Sequence, residues 1–184
     1  VTFTGNLGTF TTTVATTKTM TAAANVVAGK TIDKAGTGAL AVQIATADAA
    51  VDLTTIAGSA LSTITVTDNV TFTGTLDDAV KTSVNGTKTL TIAAAKANGK
   101  TIDGAGNVAV TALDATAAAD LSTITNSGTR TAAVSDNVTF TGNLGTFTTT
   151  VASTKTLTAA ASVVNGKTID GAGNVAVTAL DATA

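Results

Sequence analysis

The side chains that could do chemistry in this chain are few, because its 184 residues include neither His nor Cys. The usual general bases, activated nucleophiles and transition-metal ligands are therefore missing, and any catalysis would depend on carboxylates. The only adjacent acidic pair, Asp77–Asp78, is replaced by Gly-Thr in the two related stretches of the chain. We predict a solvated loop there rather than a catalytic dyad, and we predict that the protein is not an enzyme.

Calcium is the ion that the remaining polar residues suit best, because it takes Asp carboxylates, Asn amides and backbone carbonyl oxygens as ligands. The candidate ligands are Asp68, Asn69, Asp103, Asn107, Asp136 and Asn137. The Gly-Gly-x-Gly-x-Asp nonapeptide of calcium-binding β-rolls does not occur in the sequence. The alternative, that these residues simply form tight corners, stays open, and no other cofactor is predicted.

Two further patterns concern binding rather than catalysis. The Gly-Ala-Gly sequence at 104–106 lacks the third glycine and the following helix of a dinucleotide-binding loop, so turn geometry is the better interpretation. Thr-x-Thr pairs such as Thr71/Thr73 and Thr139/Thr141 predict Thr rows on a flat face, which would resemble an ice-binding surface. The pairs do not recur at one constant spacing, which disfavours ice binding.

The elements that must position these residues are arranged as a tandem repeat. The segment Gly99–Ala117 returns unchanged at Gly166–Ala184, and Val1–Phe10 returns unchanged at Val138–Phe147. A looser copy of the second motif begins at Val70, so the long repeat is about 68 residues. A repeat of this kind decides the fold before any single element does.

Within each repeat, apolar and polar residues alternate over four to six positions, as in Val70–Thr73 and Ser62–Thr67. Strict alternation is typical of a strand with one buried face. Gly, Asn and Asp interrupt the alternation every seven to ten residues, and these residues tolerate the positive φ angles of tight corners. The Ala-rich Thr91–Ala97 is the one helical candidate, but it is short and adjoins a strand pattern, so we predict strand there.

These short strands predict an all-β fold, namely a parallel β-helix or β-solenoid. Coils of roughly 20 to 24 residues would give three coils per long repeat and about eight three-sided coils in the chain. We assign residues 1–184 to one continuous solenoid segment, with long repeats at 1–69, 70–137 and 138–184, the last truncated. Both ends fall inside a repeat, so we expect a slice of a longer array or copies joined end to end.

Two other β architectures compete with the solenoid. Tandem sandwich domains usually need about 100 residues and a large buried aromatic each, whereas this repeat is shorter and the chain has only five aromatic residues, all Phe. The second alternative treats Asp103–Asn107 as a hairpin loop between antiparallel strands. That arrangement would be incompatible with stacked coils.

In the solenoid, small apolar side chains point inward and the corners carry the charged residues. Lys100 has the same parity as Ile102, but we place it at a corner rather than in the core, whereas Thr101 and Asp103 face outward. The predicted inward residues are Val70, Phe72, Leu90, Ile92, Ile102, Val108, Val110, Leu113, Leu121 and Ile124.

Charge and composition limit the partners. Charged residues make up 12% of the chain and the net charge is −2, so neither nucleic acid nor an anionic membrane is an expected partner. Mean hydropathy is +0.39, yet no apolar run approaches the roughly 18 residues of a membrane span. The lack of Cys excludes disulfides and fits a secreted bacterial protein that is stabilised by repeat stacking.

Near-identical copies rich in Thr, Ala, Val, Asn and Gly, with an acidic pI of about 4.8, resemble the repeat tracts of very large bacterial surface proteins. Those families include surface-layer-like proteins, repeat adhesins and extracellular filament proteins. The resemblance implies export to the cell surface, self-assembly and a mechanical or spacing role. The alternatives are an adhesin module that binds a surface glycan or ice, and a polysaccharide lyase. A lyase would need a groove of clustered Asp, Lys and Arg, which is difficult to build with the single Arg130.

Overall fold

The computed structural model describes residues 1–180, and these are dominated by parallel β-structure. Strands account for 42% of the chain and helices are few, which agrees with the prediction of an all-β parallel fold. The strands are β1 (Thr2–Phe3), β2 (Thr12–Val14), β3 (Thr19–Ala23), β4 (Ile32–Lys34), β5 (Ala39–Ile44), β6 (Leu61–Val66), β7 (Val70–Phe72), β8 (Thr82–Val84), β9 (Thr89–Ala93), β10 (Ile102–Gly104), β11 (Asn107–Thr111), β12 (Arg130–Val134), β13 (Val138–Phe140), β14 (Thr148–Val151), β15 (Thr156–Ala160), β16 (Ile169–Gly171) and β17 (Asn174–Thr178). Single α-helical turns are α1 (Ala24–Val27), α2 (Ala94–Ala97) and α3 (Ala161–Val164), and 3₁₀ turns lie at Thr46–Asp48, Leu53–Thr55 and Leu113–Ala115.

The strands of residues 1–180 form four sheets, and every ladder among them is parallel. The strand orders are β1-β3-β5-β6-β8-β10, β7-β9-β11-β12-β14-β16, β13-β15-β17 and β2-β4. Parallel neighbours cannot be joined by a tight hairpin, so the chain must cross over between them. Here the crossovers are made of other strands and short turns.

Neighbouring strands pair residues that lie about 20 positions apart in sequence, which leaves room for the crossover that a parallel pair needs. Val70, for example, pairs with Leu90. The shortest offset joins Thr131 to Thr148, and one of the longest joins Val108 to Arg130. In the ladder of β7 and β9 the alternation of side chains stays in register, so that buried Val70 and Phe72 stand opposite buried Leu90 and Ile92.

Equivalent segments of successive long repeats lie in different sheets. β3, β9 and β15 have the related sequences Thr-Met-Thr-Ala-Ala, Thr-Leu-Thr-Ile-Ala and Thr-Leu-Thr-Ala-Ala, and each precedes one of the helical turns. They nevertheless belong to three separate sheets. β3 shares its sheet with β8 of the following repeat, and β9 shares its sheet with β14. The long repeat and the pairing offset are therefore independent periods.

The predicted core is confirmed. All ten residues expected to face inward have 4% or less of their surface exposed. They belong to one hydrophobic cluster that extends through the chain from Val14 to Leu157. Most members are Val, Ile, Leu or Ala, and Phe72, Phe140 and Phe147 are the largest fully buried side chains. Alternation with a period of two thus identifies the buried faces of β7, β9, β10 and β11.

The prediction of strand across Thr91–Ala97 is wrong for the second half of that segment. β9 ends at Ala93, and α2 follows as one helical turn closed by the N–H of Asn98, which donates to the carbonyl of Ala94 at 2.9 Å. Ala94 and Ala97 are fully buried. Packing of these small side chains against the core offsets the cost of nucleating so short a helix, and alanine has the highest helix propensity.

The hairpin alternative for Asp103–Asn107 is wrong, because β10 and β11 lie in different sheets. The segment makes a corner instead, and its glycines let the backbone pass close to the backbone near Asn85. Gly104 has a φ of 98°, which favours glycine. A Cβ atom on Gly106 would lie 2.3 Å from the carbonyl oxygen of Asn85, which is too close for any side chain.

Gly106→Ala should destabilise the protein by about 1–3 kcal/mol, because the added methyl group overpacks the corner against backbone atoms. Gly86→Ala is the matched control, since its Cβ would meet nothing closer than Ala105 at 3.6 Å. Urea unfolding followed by circular dichroism measures both variants. Equal losses of unfolding free energy would contradict the role assigned to Gly106.

Candidate functional site

The first candidate calcium pair, Asp68 and Asn69, lies at the corner between β6 and β7, where donors of the chain itself occupy both side chains. Asp68 Oδ1 accepts the N–H of Asn69 at 3.1 Å and lies 3.8 Å from Lys88 Nζ. The amide oxygen of Asn69 accepts the N–H of Thr89 at 2.9 Å. Asn69 therefore joins its corner to β9, the strand that pairs with β7.

The third pair, Asp136 and Asn137, repeats this arrangement between β12 and β13. Asp136 Oδ1 accepts a hydrogen bond from Lys155 Nζ at 3.0 Å and one from the N–H of Asn137 at 2.8 Å. Both bonds lower the pKa of Asp136, and the bond from Lys155 has the larger effect. The amide oxygen of Asn137 accepts the N–H of Thr156 at 2.8 Å. The same donors at equivalent places in two repeats indicate that these residues close a corner.

The second candidate pair, Asp103 and Asn107, lies on either side of the glycine corner. Asp103 forms an ion pair with Lys81 at 2.6 Å, and its buried Oδ1 has no hydrogen-bond partner within the described residues. Asn107 accepts the N–H of Thr129 at 2.8 Å through its amide oxygen. Among residues 1–180, no three His, Cys, Asp or Glu side chains are grouped so that they could hold a metal ion. The structure thus distributes the six candidates over separate corners.

Sequence reasoning missed a contact made by the lysine of the Gly-Lys-Thr-Ile-Asp motif. Lys30, Lys100 and Lys167 each direct Nζ at a backbone carbonyl 22 to 24 residues earlier. The acceptors are Gly8 at 2.6 Å, Leu76 at 2.9 Å and Gly145 at 2.6 Å. Each lysine therefore holds a loop of the preceding segment. The available signal was its recurrence in all three repeats, at the parity of a buried isoleucine.

Lys100 and the acidic pair meet in the middle repeat. Lys100 lies between the turn at 98–99 and β10, and only 12% of its side chain is exposed. Its Nζ also forms an ion pair with Asp78. Asp77 instead accepts the N–H groups of Ala79 at 2.8 Å and Val80 at 3.1 Å. The two carboxylates serve different partners, in agreement with the predicted loop.

The Thr rows are short. Thr139 pairs with Thr158, but Ala176 stands opposite Thr158 on the next strand. The same order of Thr, Thr and Ala recurs from β7 through β9 to β11. An extended flat row of hydroxyls, which the ice-binding alternative requires, is therefore interrupted by Ala at the third strand of both of these series.

Serine hydroxyls hold two further carboxylates in their charged form. Ser122 donates its hydroxyl at 2.6 Å and its N–H at 2.9 Å to Asp120, and both bonds lower the pKa of Asp120. Burial raises the pKa of Asp114, but several hydrogen bonds together outweigh burial, those from the N–H and hydroxyl of Ser135 foremost, so the net shift is downward. These bonds favour the ionised form of each carboxylate.

The lowered pKa values predict that acid weakens the fold. Each carboxylate stabilises the folded state fully above its ordinary pKa of 3.8 and loses that contribution as the pH falls through the lower folded-state value. The thermal midpoint of unfolding should decrease as the pH is lowered from about 5 to about 2, and Asp120→Asn should make that decrease smaller. Asp170→Asn, on an exposed carboxylate of β16, is the control. An equal fall in all three proteins would contradict the role of Asp120.

No protein-family model, curated protein or solved structure matches this chain. Within residues 1–180, no helix is long and apolar enough to cross a membrane. The informative comparison is therefore internal, between copies of one motif in different surroundings. In that comparison Asp52 corresponds to Asp120, and Lys100 corresponds to Lys167.

Proposed function

We propose that the chain is a segment of a three-sided β-solenoid that serves as an extracellular scaffold at a bacterial cell surface and assembles end to end with copies of itself. Parallel ladders between strands about 20 residues apart support the architecture, because a coiled chain pairs each strand with the strand below it. A core of small side chains that extends from Val14 to Leu157 supports it as well. The resemblance to repeat tracts of bacterial surface proteins supports the location and the scaffold role.

The two periods of the chain agree with this proposal. If a coil takes about 20 residues on three sides, a long repeat of about 68 residues takes about three and one-third coils. The extra third moves each repeat to the next side, which accounts for the placement of β3, β9 and β15 in three sheets. The proposal therefore has three and one-third coils per repeat instead of three, and about nine coils in the described part of the chain.

The observation that carries the proposed assembly is that one sequence is buried or exposed according to its neighbours. β11 and β17 both read Asn-Val-Ala-Val-Thr. β11 lies between β9 and β12, and its residues Val108 and Val110 are each 1% exposed. β17 is an edge strand, and its residues Val175 and Val177 are 42% and 38% exposed. A further strand on β17 would bury the same two positions.

The other end of the stack exposes its own inward residues. Phe10 and Phe147 close two identical ten-residue segments, yet Phe147 is 1% exposed and Phe10 is 79% exposed. The loop before Phe147 is covered, because the N–H of Leu121 donates to the carbonyl of Asn143 at 2.9 Å. Burying one large apolar side chain contributes about 1.5–3 kcal/mol. The exposed edges of β1, β2 and β17 also offer unpaired backbone groups to another strand. A second copy of this chain would cover the exposed residues at both places.

Electron microscopy and sedimentation velocity of the purified chain test this proposal. We expect rods that lengthen as the protein concentration rises, with a strand spacing of ~4.8 Å along the rod. Val177→Lys places a charge in the exposed inward row and should reduce assembly strongly. Ala176→Lys is the matched control, because residue 176 has the opposite parity and should leave assembly unchanged.

Monomers at every concentration, in both the unmodified chain and the Ala176→Lys variant, would contradict end-to-end assembly. Equal assembly of the Val177→Lys variant would show that the rods form through another surface. Coordinates with separate two-sheet domains would contradict the solenoid itself.

A further inference from the structure

One pocket carries two positive charges that no carboxylate of the described residues neutralises. Arg130, at the start of β12, and Lys167, just before β16, line an open pocket of about 540 Å³. None of the ion pairs within residues 1–180 includes either of these cations. The chain as a whole has a net charge of −2, so this local excess of positive charge is not a general property of the surface.

Arg130 is held in place by the interior of the protein. It shares the inward parity of Ala132 and Val134 on β12, and its Nη1 donates to the carbonyl of Asn126, a fully buried residue. Its Nε is enclosed and has no hydrogen-bond partner within the described residues. A guanidinium carries five N–H donors in a rigid fork, and a partly buried cation without a counter-charge is costly. The position therefore favours a bound anion.

The middle repeat indicates where such an anion would sit. Lys100 takes the place of Lys167 there, and the chain supplies its own carboxylate, because Asp78 forms an ion pair with Lys100. In the third repeat, Thr146 stands at the position of Asp78. The third repeat thus keeps the lysine and lacks the carboxylate.

The Arg130 pocket also has a charge that the equivalent place beside Lys100 lacks. Ser62 is the counterpart of Arg130, because each stands at the same distance before a Val-Thr-Phe-Thr motif. Ser62 lies at an irregularity where the ladder between β5 and β6 skips one residue, and its hydroxyl donates to the carbonyl of Leu40 at 3.0 Å. Arg130 instead takes a regular place in its ladder, opposite Val108. Arg130 and Lys167 therefore line a pocket in which Thr146 stands where the middle repeat has the carboxylate of Asp78.

Asp120, two residues before the pocket residue Ser122, does not take the place that Asp78 holds beside Lys100. Asp120 accepts the hydroxyl and the N–H of Ser122. Asp52, its counterpart in the first repeat, accepts the same two bonds from Thr54. In the middle repeat the lysine pairs with Asp78 and not with Asp52. The two repeats agree that this aspartate caps its own turn.

We infer that this pocket binds the carboxylate group of an acidic sugar, of the kind found in uronic acid glycans. Charge-assisted bonds from the guanidinium fork and the ammonium group would hold the carboxylate. Neutral polar side chains that suit sugar hydroxyls line the remainder of the pocket, namely Ser122, Thr125, Asn143 and Thr146. The inference goes beyond the scaffold proposal, because the pocket lies within one chain and does not depend on assembly.

Isothermal titration calorimetry of the full chain with trigalacturonate tests the inference, with neutral maltotriose and sodium sulfate as separate arms. We expect saturable binding of trigalacturonate and none of maltotriose. Arg130→Ser, which introduces the residue that the first repeat has at the equivalent position, Ser62, should weaken binding at least tenfold. Thr146→Asp should weaken it similarly, because it supplies the internal carboxylate that Asp78 supplies to Lys100. Asp78→Thr, at the equivalent position of the middle repeat, should leave the affinity of the Arg130 pocket unchanged.

Circular dichroism melts verify that each variant is folded before its affinity is interpreted. Undiminished affinity in either folded Arg130→Ser or folded Thr146→Asp would overturn the assignment of the pocket. Absence of trigalacturonate binding up to about 50 mM would overturn it as well. Sulfate binding as tight as that of trigalacturonate would overturn the assignment to a sugar carboxylate. Because each measurement is made per chain, these results do not depend on whether rods form.

Discussion

Backbone hydrogen bonds between parallel strands about 20 residues apart in the chain are the interaction on which the rest of this structure depends. They keep inward positions in register from strand to strand, so that Val and Ile side chains build a continuous interior with few aromatic residues. Each strand contributes little apolar area, and its stability comes from being covered on both sides. The contrast between Val110 in β11 and Val177 in β17 expresses that dependence, because the same residue in the same sequence loses its burial when one neighbouring strand is missing.

Corners extend this ladder where the strands end. Asn69, Asn107 and Asn137 each accept a backbone N–H from a residue 19 to 22 positions later. These amide bonds continue the spacing of the strand ladders to the ends of strands, since Thr89, Asn107 and Thr156 each begin one. The motif lysines do the same for loop carbonyls. Residues that look like metal ligands in sequence thus serve as connections between successive passes of the chain, and their short polar side chains suit both roles.

The buried faces of β7, β9, β10 and β11 could be predicted from sequence, because side chains alternate with a period of two and Val108 or Ile102 needs no other information to be placed. The helical turn at α2 could not, since four alanine-rich residues contain no periodicity that distinguishes a turn from a strand. The long repeat was readable, but its relation to the pairing offset was not, because sequence identity carries no information on which sheet a copy joins. The pocket of Arg130 and Lys167 escaped prediction for the same reason, since ladder registers alone bring those segments together.

The placement of equivalent strands in successive sheets has a consequence for any long array built on the proposed coil. A group carried once per repeat would rotate by one-third of a turn from each copy to the next and would return to its starting direction after three repeats. Three repeats would rise by ~48 Å if ten coils stack at ~4.8 Å each. Any feature that recurs in every repeat would then follow a helical path around the rod and face each of its three sides in turn.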